Sequence, residues 1–172
     1  ANGLFYLPHL RGAGTPFCDP LSRGAFIGLR ATHSQPDLMR AILEGVGFEL
    51  RIIIETMQRV FGSTVDVVNT IGGGTRNLLW QEIRASILNL PIELPDVEEA
   101  TSKGAALLAG IGIGLYQDFA DASQRTHRLR RRIDPDPALV ERYADLFVLY
   151  QQIYPALQPL YAQIAAQAPP SA

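Results

Sequence analysis

The chain has 172 residues, is 47% apolar and carries a formal net charge of −2. That describes one ordinary globular domain able to bury roughly 70% of its unfolded surface, and it argues against nucleic acid as the main partner. One cysteine, Cys18, excludes an internal disulfide; with no membrane-span-like stretch and no signal-peptide pattern, the expected location is the cytoplasm.

The run Leu4-Phe5-Tyr6-Leu7-Pro8 begins inside an apolar pattern with no initiator Met, so the chain reads as a piece of a longer polypeptide. Residues 8–24, rich in Gly, Pro and Asp, predict a long ordered loop leading to a short strand at Ala25–Leu29. Cys18 sits in this loop without a His–Asp pair nearby and reads as inert. Ser34-Gln35-Pro36-Asp37 then opens a helix with Ser34 as N-cap. Leu38, Ile42, Val46, Leu50, Ile53, Met57 and Val60 recur at helical spacing until Gly62. Arg40–Glu44 and Glu55–Arg59 are spaced to pair on its outer face. Gly45 and Gly47 inside this helix suggest close contact with another backbone.

Residues 65–71 form a β-branched run that reaches Gly72-Gly73-Gly74 and passes into a second helix over 75–89. Each glycine costs roughly 0.5–1 kcal/mol against alanine, so the turn needs something only glycine allows. The options are positive φ angles or a ligand lying flat on bare backbone. At a strand-to-helix junction, free amides and the positive end of the helix dipole face the occupant of the turn. That is how a nucleotide site is built at the carboxyl end of a strand. No Lys-Ser or Lys-Thr follows, which excludes a P-loop, and Asn77 stands where a third dinucleotide-fingerprint glycine would fall.

Pro91–Leu94 predicts a short strand, and residues 98–114 a third helix whose Gly104, Ala105, Ala106, Ala109 and Gly110 suit tight packing on a sheet. Residues 125–132 gather His127 and five arginines, read as a solvated surface. Asp134-Pro135-Asp136-Pro137 starts a helix running to Pro155, with an apolar stripe of Leu139, Tyr143, Leu146, Phe147, Tyr150 and Tyr154. The stripe is read as core packing, with a homodimer contact as the alternative. Ala156–Gln167 leads to a Pro/Ser/Ala tail. Strands and helices in this order predict an α/β fold, a central and largely parallel sheet flanked by helices, and a helical C-terminal tail.

Several motifs then fall in a familiar order. They are Leu7-Pro8-His9-Leu10-Arg11-Gly12, Thr15-Pro16, Asp19-Pro20-Leu21-Ser22-Arg23-Gly24-Ala25, Gly28-Leu29 and Ala41-Ile42-Leu43-Glu44-Gly45-Val46. Gly72-Gly73-Gly74-Thr75-Arg76-Asn77 with Leu79-Trp80, then Glu99-Ala100 and Gly104-Ala105-Ala106, complete the set. The chain resembles the C-terminal lobe of the FGGY family of carbohydrate kinases, nearest its xylulokinase-like members. The resemblance implies an actin-like ATPase (ribonuclease H-like) lobe over 1–160, with 161–172 as helix end and disordered tail. It implies ATP as phosphoryl donor, Mg²⁺ with ligands mainly outside this chain, and a sugar or polyol bound through an absent N-terminal lobe. By the same resemblance Gly72, Gly73 and Gly74 lie against the adenosine, and Asn77 contacts adenine or ribose.

The chain also departs from close relatives. Glu82 and Ser86 stand where they commonly carry Gln and Asp, and Gly12-Ala13-Gly14-Thr15-Pro16 where many read Gly-Glu-Arg-Thr-Pro, which leaves the sugar open. The family's general base and phosphate hairpin precede the matched region. Asp19 and Asp66 lack the context for that role, so no catalytic residue is assigned. Two other readings remain at this level: a non-catalytic regulatory or oligomerisation module of the same fold, and a small Rossmann-type domain. In the latter, Glu93, Asp96 or Glu98 would hold the ribose.

Overall fold

In a computed structural model that describes residues 1–97 and 99–167, the chain is a mixed α/β, mostly helical structure with two small sheets. Glu98 and residues 168–172, the end of the expected tail, lie outside the described residues. The first sheet is an antiparallel pair, β1 (Phe5–Leu7) with β2 (Ala25–Ile27), in register Tyr6↔Phe26. The second holds β3 (Val68–Asn69), β4 (Ile92–Pro95) and β5 (Leu129–Ile133), with β3 parallel and β5 antiparallel to β4. The sheet is therefore not largely parallel. β5 is a basic Leu-Arg-Arg-Arg-Ile strand with no apolar alternation to announce it, and it occupies much of the stretch read as bare surface.

Helix α1 (Gln35–Phe61) begins as expected: the Ser34 amide and hydroxyl both donate to Asp37 Oδ2, at 3.0 and 2.7 Å. Gly62 ends it with φ 62°. Its most buried face is rotated from the predicted stripe and runs through Ala41, Gly45, Phe48 and Ile52. The glycines explain the rotation, because they let β1 and α2 (Leu78–Leu88) come close. A β-carbon built on Gly45 would overlap the Tyr6 carbonyl oxygen, and one on Gly47 would lie 2.7 Å from Ile87 Cδ1. Arg40 pairs with Glu44 at 2.8 Å, but Glu44 is buried rather than on the outer face. Glu55 pairs with Arg51 at 2.7 Å, not with Arg59.

Helix α5 (Pro137–Gln167) is continuous through Pro155 and Pro159, so the helix does not stop at Pro155. Each internal proline removes a backbone hydrogen bond and costs about 3 kcal/mol. Burial of Tyr154 and Tyr161 on either side opposes that cost. Tyr143, Phe147, Tyr150 and Tyr154 join Leu7, Phe48, Ile52, Ile83 and Ile87 in the main core, which makes the aromatic stripe core packing. Phe48 is central, with ring centroids of Tyr150 at 4.9 Å and of Tyr143 and Phe147 at 6.0 Å. Ser86 ties α2 to α5 by accepting from the Asp136 amide at 3.2 Å.

Helix α3 (Ala100–Gly112) does not show the tight packing its small residues suggested. Gly110 is its one buried residue among those described, and Leu108 is 57% exposed. A short α4 (Phe119–Thr126) follows and returns the chain to β5.

The tyrosines of α5 give this core an alkaline limit. Burial, with the Glu44 carboxylate adding to it, pushes the Tyr143 phenol up to about 12. Burial and Glu49 push Tyr150 up as well. The folded phenols hold protons that the unfolded chain releases near 10.0. The phenols' contribution to stability is therefore level below that pH and falls as the pH rises from 10.0 towards about 12. Thermal melts across this window should show Tm dropping in the wild type and dropping less steeply in Tyr143→Phe.

Candidate functional site

The stretch after β3 does not enter a helix directly. Gly73–Arg76 winds one 3₁₀ turn, Asn77 breaks it in extended conformation, and α2 starts at Leu78. The turn is anchored from below through its carbonyls. Gly72 O accepts from the Thr75 amide at 3.1 Å and from Thr75 Oγ1 at 2.8 Å. Gly74 O accepts from the Asn77 amide at 3.3 Å and from Gln81 Nε2 at 2.9 Å. The amides of Gly72, Gly73 and Gly74 find no acceptor among the described residues. Successive free amides at a strand-to-helix junction form a concavity suited to electron-rich groups.

The three glycines differ in what makes each of them glycine. Gly72 has φ +85°, a conformation that side chains disfavour. Gly74 is pressed by Trp80, whose Cζ3 would lie 2.9 Å from an added β-carbon. Gly73 has neither constraint: its φ is not positive, and a β-carbon there would meet nothing within 4 Å. Its bareness serves no purpose within the described chain.

All three glycines are exposed, and a cleft of about 150 Å³ opens beside the turn. Gly72, Gly73, Thr75 and Arg76 form one wall, Val97 and Glu99 at the start of α3 another, and Arg130 of β5 reaches in. Of the four residues singled out from the sequence, Gly72 and Gly73 line the cleft. Gly74 and Asn77 do not. Asn77 is turned to its own helix, where Oδ1 accepts from the Trp80 amide at 3.1 Å, a standard N-cap contact. Arg76, Val97, Glu99 and Arg130 were not foreseen. Arg130 lay inside the basic cluster, but only an antiparallel β5 could have placed it against the turn.

The two carboxylates set aside as catalytic candidates also have their places. Asp66 is exposed. Asp19 accepts from the Leu21 amide at 2.8 Å and from the Tyr154 hydroxyl at 2.9 Å, bonds that hold its carboxyl below the ordinary carboxylate range. It fastens the 8–24 loop to α5, beside a buried contact of 2.7 Å between His9 Nδ1 and Ser22 Oγ. Among the described residues no three His, Cys, Asp or Glu side chains gather as a metal site. None of the described helices is long and apolar enough to cross a membrane.

A family model described as the FGGY family of carbohydrate kinases, C-terminal domain, matches residues 1–113. The chain belongs to the FGGY family. Among curated FGGY-like relatives, the xylulose kinase of Bacillus subtilis (strain 168) is 36% identical over 154 residues, covering 90% of this chain and 31% of that protein. A glycerol kinase of Haemophilus influenzae is 34% identical over 136 residues, covering 79% of this chain and 27% of that protein. The crystal structure of a ligand-bound xylulose kinase from Lactobacillus acidophilus superposes with a TM-score of 0.83 at 29% identity. That match covers 95% of this chain and 33% of the other. These FGGY kinase structures share the actin-like ATPase fold, and this chain is the C-terminal domain of it. It spans about a third of the length of the relatives it matches.

Proposed function

We propose that this chain is the ATP-binding lobe of a carbohydrate kinase, which transfers the γ-phosphoryl of ATP to a sugar or polyol hydroxyl. The observation that carries the reading is Gly73, whose glycine is required neither by its backbone angles nor by any neighbour among the described residues. A nucleotide lying on bare backbone supplies the missing reason. The free amides of the turn would receive it, and Arg76 and Arg130 outweigh the Glu99 carboxylate in the cleft lining, which leaves it net positive. Gly74 would support the turn through its packing on Trp80. Asn77, its Oδ1 committed to α2, would offer only its amide nitrogen to adenine or ribose.

The relatives' names as xylulose and glycerol kinases support a sugar or polyol acceptor. Phosphoryl transfer needs a base for the hydroxyl proton and Mg²⁺ on the phosphates. The family resemblance implies that both come from the lobe outside this chain. Residues 1–172 alone would then show no kinase turnover and only weak ATP affinity, lacking charge-assisted contacts to the γ-phosphate.

Gly73→Val in a full-length kinase carrying this lobe is the test. The added β-carbon would stand in open space beside the cleft, with no described atom within 4 Å. The KM for ATP should rise about tenfold or more, with the KM for sugar unchanged. Asn77→Ala should act differently, costing about 1 kcal/mol of stability through the lost cap. An equal rise in both KM values for Gly73→Val would remove the nucleotide from this turn.

A further inference from the structure

The strand β5 carries an irregularity that the nucleotide reading does not use. Its register with β4 runs Glu93↔Arg132 and Leu94↔Arg131, then skips to Pro95↔Leu129. Arg130 is left without a partner, as the extra residue of a β-bulge. In a regular strand Arg130 and Arg131 would point to opposite faces. Here both line one cavity of about 460 Å³, together with Thr75, Arg76, Leu78 and Leu94. The bulge brings two consecutive arginines to the lining of a cavity that Arg76 also lines.

The charges in this cavity are not balanced within the described chain. Arg132, next along the strand, pairs with Glu93 at 3.1 Å and with Asp134 at 3.0 Å. Arg76, Arg130 and Arg131 make no ion pair among the described residues, and no carboxylate lines the cavity. Thr75 Oγ1 is already committed to Gly72 O. Three arginines without an ion-pair partner among the described residues line one open space with Leu78 and Leu94, and the N–H forks they carry suit the tetrahedral oxygens of a phosphate.

We propose that this cavity is a phosphate site for a ligand other than the nucleotide at the glycine turn. It adjoins the cleft and shares Thr75, Arg76 and Arg130 with it, while Arg131, Leu78 and Leu94 belong to this cavity alone. Occupancy therefore holds Arg76 and Arg130 away from the cleft, and by linkage the two ligands weaken each other's binding. The site stands on its own geometry, whether or not the turn holds a nucleotide. Its ligand is either inorganic phosphate or the phosphate of a phosphorylated sugar.

Calorimetric titration of the chain at low ionic strength tests it, with inorganic phosphate and with a pentose phosphate as probes. Saturable one-to-one binding is expected. Arg131→Gln should weaken it about tenfold or more, the loss of one charge-assisted contact. Arg128→Gln should leave it unchanged, since among the described residues Arg128 donates only to the Arg125 and His127 carbonyls, and it lines neither cavity. Gly73→Val should leave phosphate binding intact while weakening ATP, which separates the two sites. Tighter binding of the pentose phosphate assigns the site to a phosphomonoester, and equal binding to phosphate itself. Absence of saturation, or equal losses from Arg128→Gln and Arg131→Gln, overturns the proposal. So does an Arg131→Gln variant that loses ATP and phosphate affinity to the same extent.

Discussion

Gly45→Val is expected to abolish cooperative folding, or to lower stability by more than about 3 kcal/mol. Overpacking a core usually costs about 1–3 kcal/mol because side chains can shift rotamers. At Gly45 the obstacle is the Tyr6 carbonyl, a backbone atom fixed in the β1–β2 pair. The added carbons would push β1 off α1 and expose Leu7, which is fully buried in the main core. Gly45→Ala should destabilise for the same reason, against the usual gain of about 1 kcal/mol for replacing helical glycine by alanine. Gly104 is the internal control: it is also helical, but a β-carbon there meets nothing within 4 Å. Gly104→Ala should therefore follow the ordinary rule and stabilise. Urea unfolding of the three variants reads the sign directly, and a stable Gly45→Ala protein would contradict the packing described.

Phe48→Ala should cost about 3–5 kcal/mol, the range for emptying a buried aromatic site. Its ring lies among Phe5, Tyr143, Phe147 and Tyr150, so α1, β1 and α5 all lose a contact at once. Those neighbours cannot collapse easily into the gap. The Tyr150 hydroxyl is held by Glu49 at 2.8 Å, and the Arg51 guanidinium covers the Phe147 ring at 4.2 Å. The cost should therefore fall at the upper end, measured as a lower urea midpoint.

What the sequence disclosed follows the range of each signal. The N-cap of α1, its stop at Gly62 and the glycine turn are local, and residues 34–37, 62 and 72–74 state them outright. The close approach at Gly45 was legible for the same reason, since two glycines inside a strong helix need a partner. The identity of that partner, the Tyr6 carbonyl, was not, because it lies far back in the chain. Pairing of β5 with β4 was hidden by composition: Arg130, Arg131 and Arg132 look like surface until a bulge and a neighbouring strand give them direction. The 3₁₀ turn at Gly73–Arg76 was also unforeseen, and it decides which glycines line the cleft and leaves Asn77 as a cap. The prolines of α5 misled in the opposite sense, because a local rule yielded to the burial of Tyr154 and Tyr161.

We propose that a nucleotide lies on the backbone of the glycine turn. Backbone amide resonances of the chain, followed during titration with a non-hydrolysable ATP analogue, test it most directly. The largest shifts should fall on Gly72, Gly73, Thr75 and Arg76, the residues of the turn that line the cleft, and Gly73→Val should suppress them. Shifts centred instead on the surface between α1 and α5, with Gly72 and Gly73 unmoved, would contradict the account.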